Sequence, residues 1–508
     1  MDEETKAPSA STAAVEADET AQNATNSDAN VKLAPNRLLL VFVAFMLGFS
    51  LTALDQTILS TALPKIASYF DAISDLSWIP SAYFLPQAGL MLFFGRILGI
   101  TPAKTVLLSV IGVFEIGSLL CAVAPSVNVL ILGRVVAGIG ASGLMVSVMF
   151  IIAQVTTLRQ RPIFMGVFGA VYAVASIVGP LIGGAFADHV SWRWCFYINL
   201  PIGGVAFVTI FAFLPSIHPS GLKGSTVKAW LSLDWIGGVL SVGMVTLFLI
   251  PIQWGGNVKL WDDPEVISLL VLSGVFFLAF ILWELRKDDL GILPLHMFRR
   301  RNLLGACVEG FFINICFILA SYYLPFIYQL RGHSATRSGI DIIPFMISGT
   351  LAALFSGPLV AAVGSGLLYT LNGSSATDRI IGYQLIFGAG LGVALQNTMV
   401  VVQAEFAKEE ALLARATSVV TFTQTLGAAV GLAVGGAIFS GQLKHRLHSI
   451  PGLDENMVTA ALASVEAVFG FPADLRAQVL SGYIRSVDTV FLFSIAAAVF
   501  GVGRLCHN

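Results

Sequence analysis

The stretch LLLVFVAFMLGFSLTALDQTILSTALP, residues 38–64, places a single acidic side chain inside a segment that could cross a bilayer. A membrane-spanning helix needs about 20 predominantly apolar residues, and the run before Asp55 supplies most of them. An unpaired carboxylate at that depth costs roughly 2.5–3.5 kcal/mol on insertion scales. Asp55 is therefore expected either to have a charged partner or to serve a function that offsets this cost.

The whole chain has the composition of a polytopic membrane protein. Of its 508 residues, 56% are hydrophobic and 11% are charged, whereas soluble domains carry about 25% charged residues. The net charge of −2 argues against a nucleic-acid partner. The five cysteines show no spacing typical of metal ligands, so neither a metal site nor a cofactor is expected.

Residues 1–36 differ from the rest of the chain in composition. They are acidic, rich in alanine, serine and threonine, and nearly free of large apolar side chains. Such a segment cannot bury a core, so we expect a disordered cytoplasmic tail. It has no basic region leading into a cleavage site, so no cleavable signal peptide is expected.

Thirteen apolar segments are long enough to be membrane helices. Among the loops of the first nine segments, eleven lysines and arginines lie on one side and three on the other, which places the N-terminus inside. The segments lie at residues 38–61, 78–99, 104–124, 128–153, 163–187, 196–214, 234–253, 265–284, 303–328, 338–363, 380–404, 412–440 and 487–505.

Two segments of the chain resemble each other. VGPLIGGA, residues 178–185, returns as VGLAVGGA, residues 430–437, in each case late in a span that follows a charged loop. The similarity could arise by chance among glycine-rich membrane helices. It could also mark two related halves, as in alternating-access transporters, whose substrate site lies between the halves near mid-membrane.

Nucleotide-binding motifs are not supported by their context. GIGASG, residues 138–143, fits a dinucleotide fingerprint, but it lies within a long apolar helix with no preceding strand. Its small residues are better explained by close helix packing. No P-loop is present around Lys104, so an ATP-driven pump is not expected from this chain. Transport would then use an ion gradient or run downhill.

A proton-coupled carrier needs a titratable group within the membrane. A buried Arg134 requires a partner, and Asp55 is one candidate. Both charges could instead serve helix packing alone. Glu115 is expected to act as a neutral hydrogen-bonding group between helices. Glu309, near Asn314, could equally face a substrate or be structural. The candidates within the spans are Asp55, Glu115, Arg134, Glu309 and Asp341.

Several motifs resemble one known family. LDQTILSTALP, residues 54–64, is similar to the span 1 signature of the fourteen-span drug:proton antiporters of the major facilitator superfamily. LILGRVVAGIGAS, residues 130–142, resembles the superfamily's span 4 motif, with Ala137 in place of the usual glutamine. WRWCFYINLP, residues 192–201, resembles the entry to span 6, and FEIGSLLCAVAP, residues 114–125, resembles the fungal toxin and multidrug branch.

The span 5 segment is similar to the motif that separates exporters from importers in this family. A proline in a helix interior removes one backbone donor and bends the helix, while the glycines allow close contact with a neighbour. The resemblance implies that this bend is a hinge between the two halves, formed by Gly179, Pro180, Gly183 and Gly184. The motif itself comprises Gly166, Ala175 in place of a glycine, Gly179, Pro180, Gly183 and Gly184.

The resemblance implies an all-α major facilitator fold of two six-helix halves with an inserted helix pair. The expected divisions are an N-terminal half at 37–215, a linker and inserted pair (spans 7 and 8) at 216–290, and a C-terminal half at 291–508. One departure concerns the loop after span 2, GRILGITPAK, residues 95–104, where only Gly95 and Lys104 match the family pattern. Gating at that loop is therefore expected to differ.

Span 11 of the fourteen-span pattern is nearly absent. Between 357 and 378 only SGLLYTL, residues 365–371, is apolar, far short of the about 20 residues that a span needs. A gene-model error, a genuinely shortened protein and a re-entrant segment remain open. Without span 11, spans 12 and 13 are expected to reverse their orientation. Asn372 is a glycosylation candidate that would face outside only if span 11 is complete.

These residues predict a proton-coupled exporter of amphipathic organic compounds, not an enzyme, acting on small molecules as a monomer in the plasma membrane or a vacuolar membrane. Asp55 and Arg134 are the predicted proton-coupling pair. A carrier dedicated to one metabolite, such as an iron chelate or a basic amino acid, and a non-transporting copy are the alternatives. The resemblance implies substrate-binding residues among the polar or aromatic groups on spans that line the cavity in that family: Gln87, Tyr172, Glu309, Asn314, Tyr322 and Gln396.

Overall fold

The computed structural model describes residues 35–72, 78–98, 100–155, 161–216, 233–255, 259–287, 291–293, 295–352, 367–368, 377–406, 410–463 and 465–502. Within these ranges the chain is helical and contains no β-strand. Nine of the described helices are long and apolar enough to cross a membrane. Residues 1–34 of the predicted disordered tail, the Asn372 sequon and most of the segment assigned to the missing span 11 lie outside the described residues, whereas Pro35 and Asn36 belong to the first helix.

The N-terminal half is formed by seven helices. Long apolar sequences form the helices because backbone polar groups within a bilayer must be satisfied inside the helix itself. Two of the helices, α6 and α7, together form the sixth span. The bounds are α1 Pro35–Tyr69, α2 Trp78–Ile97, α3 Ala103–Val123, α4 Val127–Val155, α5 Arg161–His189, α6 Trp194–Tyr197 and α7 Asn199–Phe213.

Two further helices precede the C-terminal half. They are α8 Trp235–Trp254 and α9 Pro264–Lys287, which lie within the range 216–290 that was predicted to hold an inserted helix pair. The C-terminal half begins after a short 3-10 helix, Leu295–Arg299. Its helices are α10 Arg301–Leu330, α11 Ala335–Asp341, α12 Ile343–Ala352, α13 Thr377–Glu405, α14 Glu410–His448, α15 Glu455–Ala463, α16 Val465–Phe469 and α17 Ala473–Val502.

The inserted pair packs against the N-terminal half through α8. The Ser241 hydroxyl donates to the Gly89 carbonyl at 3.2 Å, and the Gln253 amide donates to the Ser81 hydroxyl at 2.6 Å. A methyl group at Gly89 would lie 3.2 Å from the Cα of Val242, so the two backbones approach closely there. By contrast, α9 exposes a row of apolar side chains suited to lipid, including Val271, Val275, Leu278 and Leu282.

The repeated glycine segments occupy equivalent places in the two halves. Gly179 and Gly183 of α5 face α1, where an added Cβ would overlap Thr57 and the backbone of Ile58. In the C-terminal half, Gly431 and Gly435 of α14 face α10 in the same way. In each half the first helix therefore packs against the fifth span of that half through a glycine-lined surface, which is the arrangement expected of an internal repeat.

The orientation of the C-terminal helices differs from the expectation for a missing span 11. The Gln384 amide donates to the Tyr328 hydroxyl at one end of the pair α10 and α13, while Asn302 donates to Glu405 at the other end. These contacts make α13 antiparallel to α10. The predicted reversal of span 12 is therefore wrong in this structure.

Helix α14 also keeps the orientation of its N-terminal counterpart. Gly427 lies against Phe311 and Gly435 against Leu319, so α14 runs parallel to α10, as α5 runs parallel to α1. The predicted reversal of span 13 is wrong as well. Of residues 353–376, which connect α12 to α13, the structure describes only 367 and 368.

We expect Gly183→Ala to destabilise the protein, because the new methyl group would overlap the Ile58 carbonyl oxygen. Overpacking of this kind costs about 1–3 kcal/mol. Gly204→Ala is the matched control: a Cβ there meets nothing within 4 Å, and removing a glycine from a helix interior stabilises it. Thermal unfolding of the detergent-purified variants should show a lower Tm for the first only. An unchanged Tm for Gly183→Ala would contradict the close packing of α1 and α5.

Candidate functional site

A buried ion pair joins α1 and α4. An Arg134 Nη1 lies 2.6 Å from Oδ2 of Asp55, and the two side chains are 0% and 1% exposed. The Arg134 Nε donates to the Ile79 carbonyl of α2 at 3.3 Å, while Nη2 has no hydrogen-bond partner among the described residues. The structure thus brings the two residues predicted for proton coupling into direct contact and supplies the partner that Asp55 requires.

Aromatic and amide groups surround this pair. The guanidinium carbon of Arg134 lies 4.3 Å from the centre of the Tyr83 ring and 5.9 Å from that of Phe196, so cation–π contacts replace part of its lost hydration. The Asn199 amide lies 3.4 Å from Oδ1 of Asp55 and 3.2 Å from the Ser118 hydroxyl. Side chains or backbone groups from α1, α2, α3, α4, α6 and α7 therefore meet at one buried site.

Sequence reasoning identified the two charges but not the groups around them. Asn199 lies within the WRWCFYINLP segment and Ser118 within FEIGSLLCAVAP, both of which had been noted only as family markers. A polar side chain inside each apolar segment was the available signal. What the sequence could not supply was the pairing of Asn199 with both Asp55 and Ser118, which are distant along the chain.

The predicted hinge lies against α1. Pro180 has no backbone N–H, so the Ser176 carbonyl loses its usual helical donor. The Thr61 hydroxyl donates to the Pro180 carbonyl at 2.9 Å. The Thr57 hydroxyl lies 3.1 Å from the Ala175 carbonyl and 3.0 Å from the Ala53 carbonyl of its own helix. Two threonines one turn apart on α1 thus contact the α5 backbone at Ala175, before the proline, and at Pro180 itself.

The same helix region also touches the C-terminal half. A Cβ at Gly184 would overlap Ala335, and a Cβ at Gly339 would overlap the Pro180 carbonyl, so α5 and α11 are in close backbone contact. Beyond these glycines, the Asp188 carboxylate accepts hydrogen bonds from the backbone N–H groups of Ala335, at 3.3 Å, and Thr336, at 2.6 Å. The predicted hinge residues therefore lie at the contact between the two halves.

A second contact between the halves runs along α1 and α10. The Tyr322 hydroxyl donates to the Gln56 carbonyl at 2.9 Å, and the Gln329 amide donates to the Thr61 carbonyl at 3.0 Å. The distribution of lysines and arginines places the end of α1 near Tyr69 on the side of the membrane opposite to the N-terminus. We call this end the outer end. These two hydrogen bonds lie in the part of α1 that is nearer its outer end, and α2 and α14 form a further contact between the halves.

The residues predicted to bind substrate are only partly brought together. Tyr322 is close enough to Tyr172, Asp55 and Arg134 to interact with them electrostatically. Glu309 and Asn314 lie further along α10, and the Asn314 amide donates to the Gly310 carbonyl of its own helix at 3.1 Å. Gln87 is buried on α2. Gln396 lies on α13, but its side chain is outside the described part of the structure.

One cavity of about 500 Å³ lies at the outer end of the C-terminal half, away from these residues. It contains none of the predicted substrate-binding side chains, so it does not by itself define the transport site. Within the described residues, no group of three or more His, Cys, Asp or Glu side chains could hold a metal ion. The cavity is lined by Leu330, Arg331, Gly332, Phe469, Ala477, Leu480, Ser481, Ile484, Arg485 and Asp488.

Comparisons with known proteins agree with this architecture. The family model of the Major Facilitator Superfamily matches residues 45–431. The chain is 36% identical over 489 residues to the MFS-type transporter astH of Aspergillus oryzae, covering 92% of this chain and 85% of that protein. It is 38% identical over 444 residues to the MFS-type efflux pump MFS1 of Arthroderma benhamiae, covering 83% and 82%.

Solved structures show the same fold at low sequence identity. A bacterial homologue of the human lysosomal transporter Spinster, in an inward-facing and unoccupied conformation, aligns with a TM-score of 0.59 at 14% identity, covering 92% of this chain and 97% of that one. A D-xylose–proton symporter aligns with a TM-score of 0.54 at 11% identity, covering 85% and 97%. The fold class predicted from the sequence is therefore confirmed.

We expect Arg134→Gln to destabilise the protein more than the pair of substitutions Asp55→Asn and Arg134→Gln together. Removing one partner of a buried ion pair leaves the other charge unpaired, which costs about 3–5 kcal/mol. The double variant removes both charges and should recover part of this loss. Unfolding of the purified single and double variants measures the difference. Additive losses would show that the two side chains do not interact.

The contact of Asp188 with the backbone of Ala335 and Thr336, which we call the outer contact, should depend on the charge of Asp188. Although partial burial raises the pKa of Asp188, hydrogen bonds from the backbone N–H groups of Thr336 and Ala335 hold that pKa below its ordinary value. A lowered pKa means that the ionised carboxylate stabilises this contact above the ordinary aspartate pKa, about 3.9. The stabilisation is lost as the pH falls through the lowered pKa.

We therefore expect Asp188→Asn to weaken the outer contact at neutral pH, because an amide is a weaker acceptor with only one oxygen. Hydrogen exchange measured by mass spectrometry should be faster at the amides of Ala335 and Thr336. Asp263→Asn is the control, since Asp263 accepts from a backbone N–H, that of Glu265, at 2.8 Å in a different loop. Exchange rates unaffected by Asp188→Asn would mean that this carboxylate does not hold the halves together.

Proposed function

The chain belongs to the major facilitator superfamily and is a multi-pass membrane transporter, and from this premise we propose that it exports amphipathic organic compounds in exchange for protons. Relatives at 36–38% identity include proteins named as efflux pumps, among them aunC of Aspergillus niger and roqT of Penicillium rubens. Their names support the direction of transport. The coupling ion is inferred from the chemistry of the buried pair.

The observation that carries the proposal is the ion pair between Asp55 and Arg134. An arginine cannot lose its proton in a protein, whereas a carboxylate can gain one. Protonation of Asp55 would remove its negative charge and leave Arg134 without its counter-ion, which is costly at a site that is 0% exposed. Binding a single proton is thus converted into a strong preference for a different arrangement of α1 and α4.

Helix α1 can pass this change to the contact between the halves. Thr61 on the same helix holds the Pro180 carbonyl, and the backbone of Gln56 accepts the Tyr322 hydroxyl of α10. A displacement of α1 would therefore alter both its contact with the bent helix α5 and its contact with the C-terminal half. In the proposed cycle, a proton entering from outside favours release of the substrate to the outside.

The substrate is proposed to bind near mid-membrane between the halves. Tyr322 interacts electrostatically with Asp55, Arg134 and Tyr172, and the two tyrosines offer ring surfaces with a polar end. Gln87, Glu309, Asn314 and Gln396 would supply further polar groups. A largely apolar site with a few polar groups suits amphipathic compounds of varied shape.

Asp55→Asn should abolish uphill export while leaving downhill exchange of substrate, because the amide cannot take up a proton. Reconstituted protein with an imposed pH gradient, and whole cells with and without an uncoupler, measure this. Asp71→Asn is the control: Asp71 lies just beyond the same helix in an exposed position with φ of 50°, which asparagine also adopts. Uphill export by Asp55→Asn would refute proton coupling through this residue.

Two alternatives make different predictions. A carrier dedicated to one metabolite would be inhibited by that compound alone, whereas unrelated amphipathic compounds should compete for export here. A non-transporting copy would show no accumulation difference on adding an uncoupler. Sequencing the transcript across codons 355–380 bears on this second alternative, since about 20 additional apolar codons would restore a complete span 11. Residence in the plasma membrane and a monomeric state also form part of the proposal.

A further inference from the structure

Glu115 is a second buried carboxyl in the N-terminal half. It lies in the middle of α3, and both of its carboxylate oxygens are buried without a hydrogen-bond partner among the described residues. Its carboxyl group occupies the space above Gly203 of α7, where an added Cβ would overlap it. The glycine therefore makes room for a polar group that nothing in the described structure satisfies.

The charged groups on the neighbouring helices do not pair with Glu115. Asp55 of α1 and Arg134 of α4 are paired with each other. The Arg193 guanidinium, beside α6, donates to the carbonyls of Ala122 and Ala124 at 3.0 and 2.8 Å. At 1.5 Å per residue, Ala122 is about 10 Å further along the helix from Glu115. Its remaining polar neighbour is Ser118, one turn away on the same helix.

A carboxylate without a partner in the membrane interior is strongly disfavoured in its ionised form. Glu115 is therefore neutral in this conformation, while Asp55, beside Arg134, is ionised. The two residues interact electrostatically, and we refer to Asp55, Arg134, Asn199, Ser118 and Glu115 as one cluster. Asn199 contacts both Asp55 and Ser118, and Ser118 is one turn from Glu115. The negative charge of Asp55 disfavours a second negative charge in the same cluster, so the two protonation states oppose each other.

We propose that Glu115 is a second proton-binding residue of the transport cycle, protonated while Asp55 is ionised and deprotonated when Asp55 is neutral. Burial keeps Glu115 neutral, and the negative charge of Asp55 adds to this effect. When Asp55 takes up a proton, that repulsion disappears, and Arg134, left without its counter-ion, favours an ionised Glu115. Glu115 then releases its proton to water on the inside and takes up another from the outside when Asp55 is ionised again, so that it carries a second proton inward in each cycle. This inference rests on the proposed proton antiport and identifies a further residue that carries it out.

The first test is chemical and does not require transport. A hydrophobic carbodiimide modifies neutral carboxyl groups within membranes, and mass spectrometry of the labelled full-length protein locates the adduct. We expect Glu115 to be modified in the unaltered protein and to be modified several-fold more slowly in Asp55→Asn, where Glu115 would be ionised. Equal rates in the two proteins would overturn the opposed protonation of the residues.

The second test measures coupling. Glu115→Gln retains the shape of the neutral acid, so it should fold and exchange substrate downhill, but it should release one proton fewer per cycle and shift the pH profile of uphill export. Gly203→Ala, which displaces the carboxyl group, should shift the pH profile in the same direction. Gly204→Ala and Glu265→Gln are the controls, since both positions lie outside the cluster.

The outcomes separate this inference from the proposed function. If Asp55→Asn still exports uphill, proton antiport through the ion pair is wrong. If Asp55→Asn loses uphill export but Glu115→Gln keeps the pH profile and proton stoichiometry of the unaltered protein, only the role of Glu115 is wrong. A neutral structural role for Glu115 would lower the Tm of Glu115→Gln without moving either quantity.

Discussion

The need to neutralise one buried arginine governs the N-terminal half. Arg134 is fully buried and cannot lose its charge, so the surrounding helices must bring it a carboxylate, a backbone carbonyl and aromatic faces. These groups come from α1, α2 and α6, which must approach α4 closely at the same depth. The glycines along α4 allow this approach, since a Cβ at Gly138 would overlap the Tyr83 backbone.

The same geometry links charge to motion. Residues 55–61 of α1 contact three different partners within two helical turns: Arg134 through Asp55, the C-terminal half through Gln56, and the bent helix α5 through Thr61. Because the segment is helical and rigid, a change at Asp55 cannot be absorbed locally. This clustering explains physically why an aspartate with two neighbouring threonines is useful inside an apolar span.

Sequence patterns predicted the parts of this site that depend on the cost of burying charge. An aspartate and an arginine in separate apolar spans each require a partner, which predicted that they pair. The proline and glycines of α5 predicted a bend and a close contact with a neighbouring helix. The Asp188 contact with α11 was not foreseen, because a carboxylate at a helix end is usually solvated and its partners here are backbone N–H groups. Every residue except proline has a backbone N–H group, so the residue types do not show which of these groups will act as donors.

The orientation of the C-terminal half shows where counting apolar segments fails. Counting assumes that each span reverses the direction of the next, so a short span 11 predicted a reversal of spans 12 and 13. Packing gives a different result: the glycine-lined face of α14 lies against α10 with the two helices parallel, Phe311 against Gly427 and Leu319 against Gly435. Polar contacts at both ends of α13 likewise fix the direction of α13 relative to α10. Side-chain complementarity between helices, rather than the number of segments, therefore determines how this half is assembled.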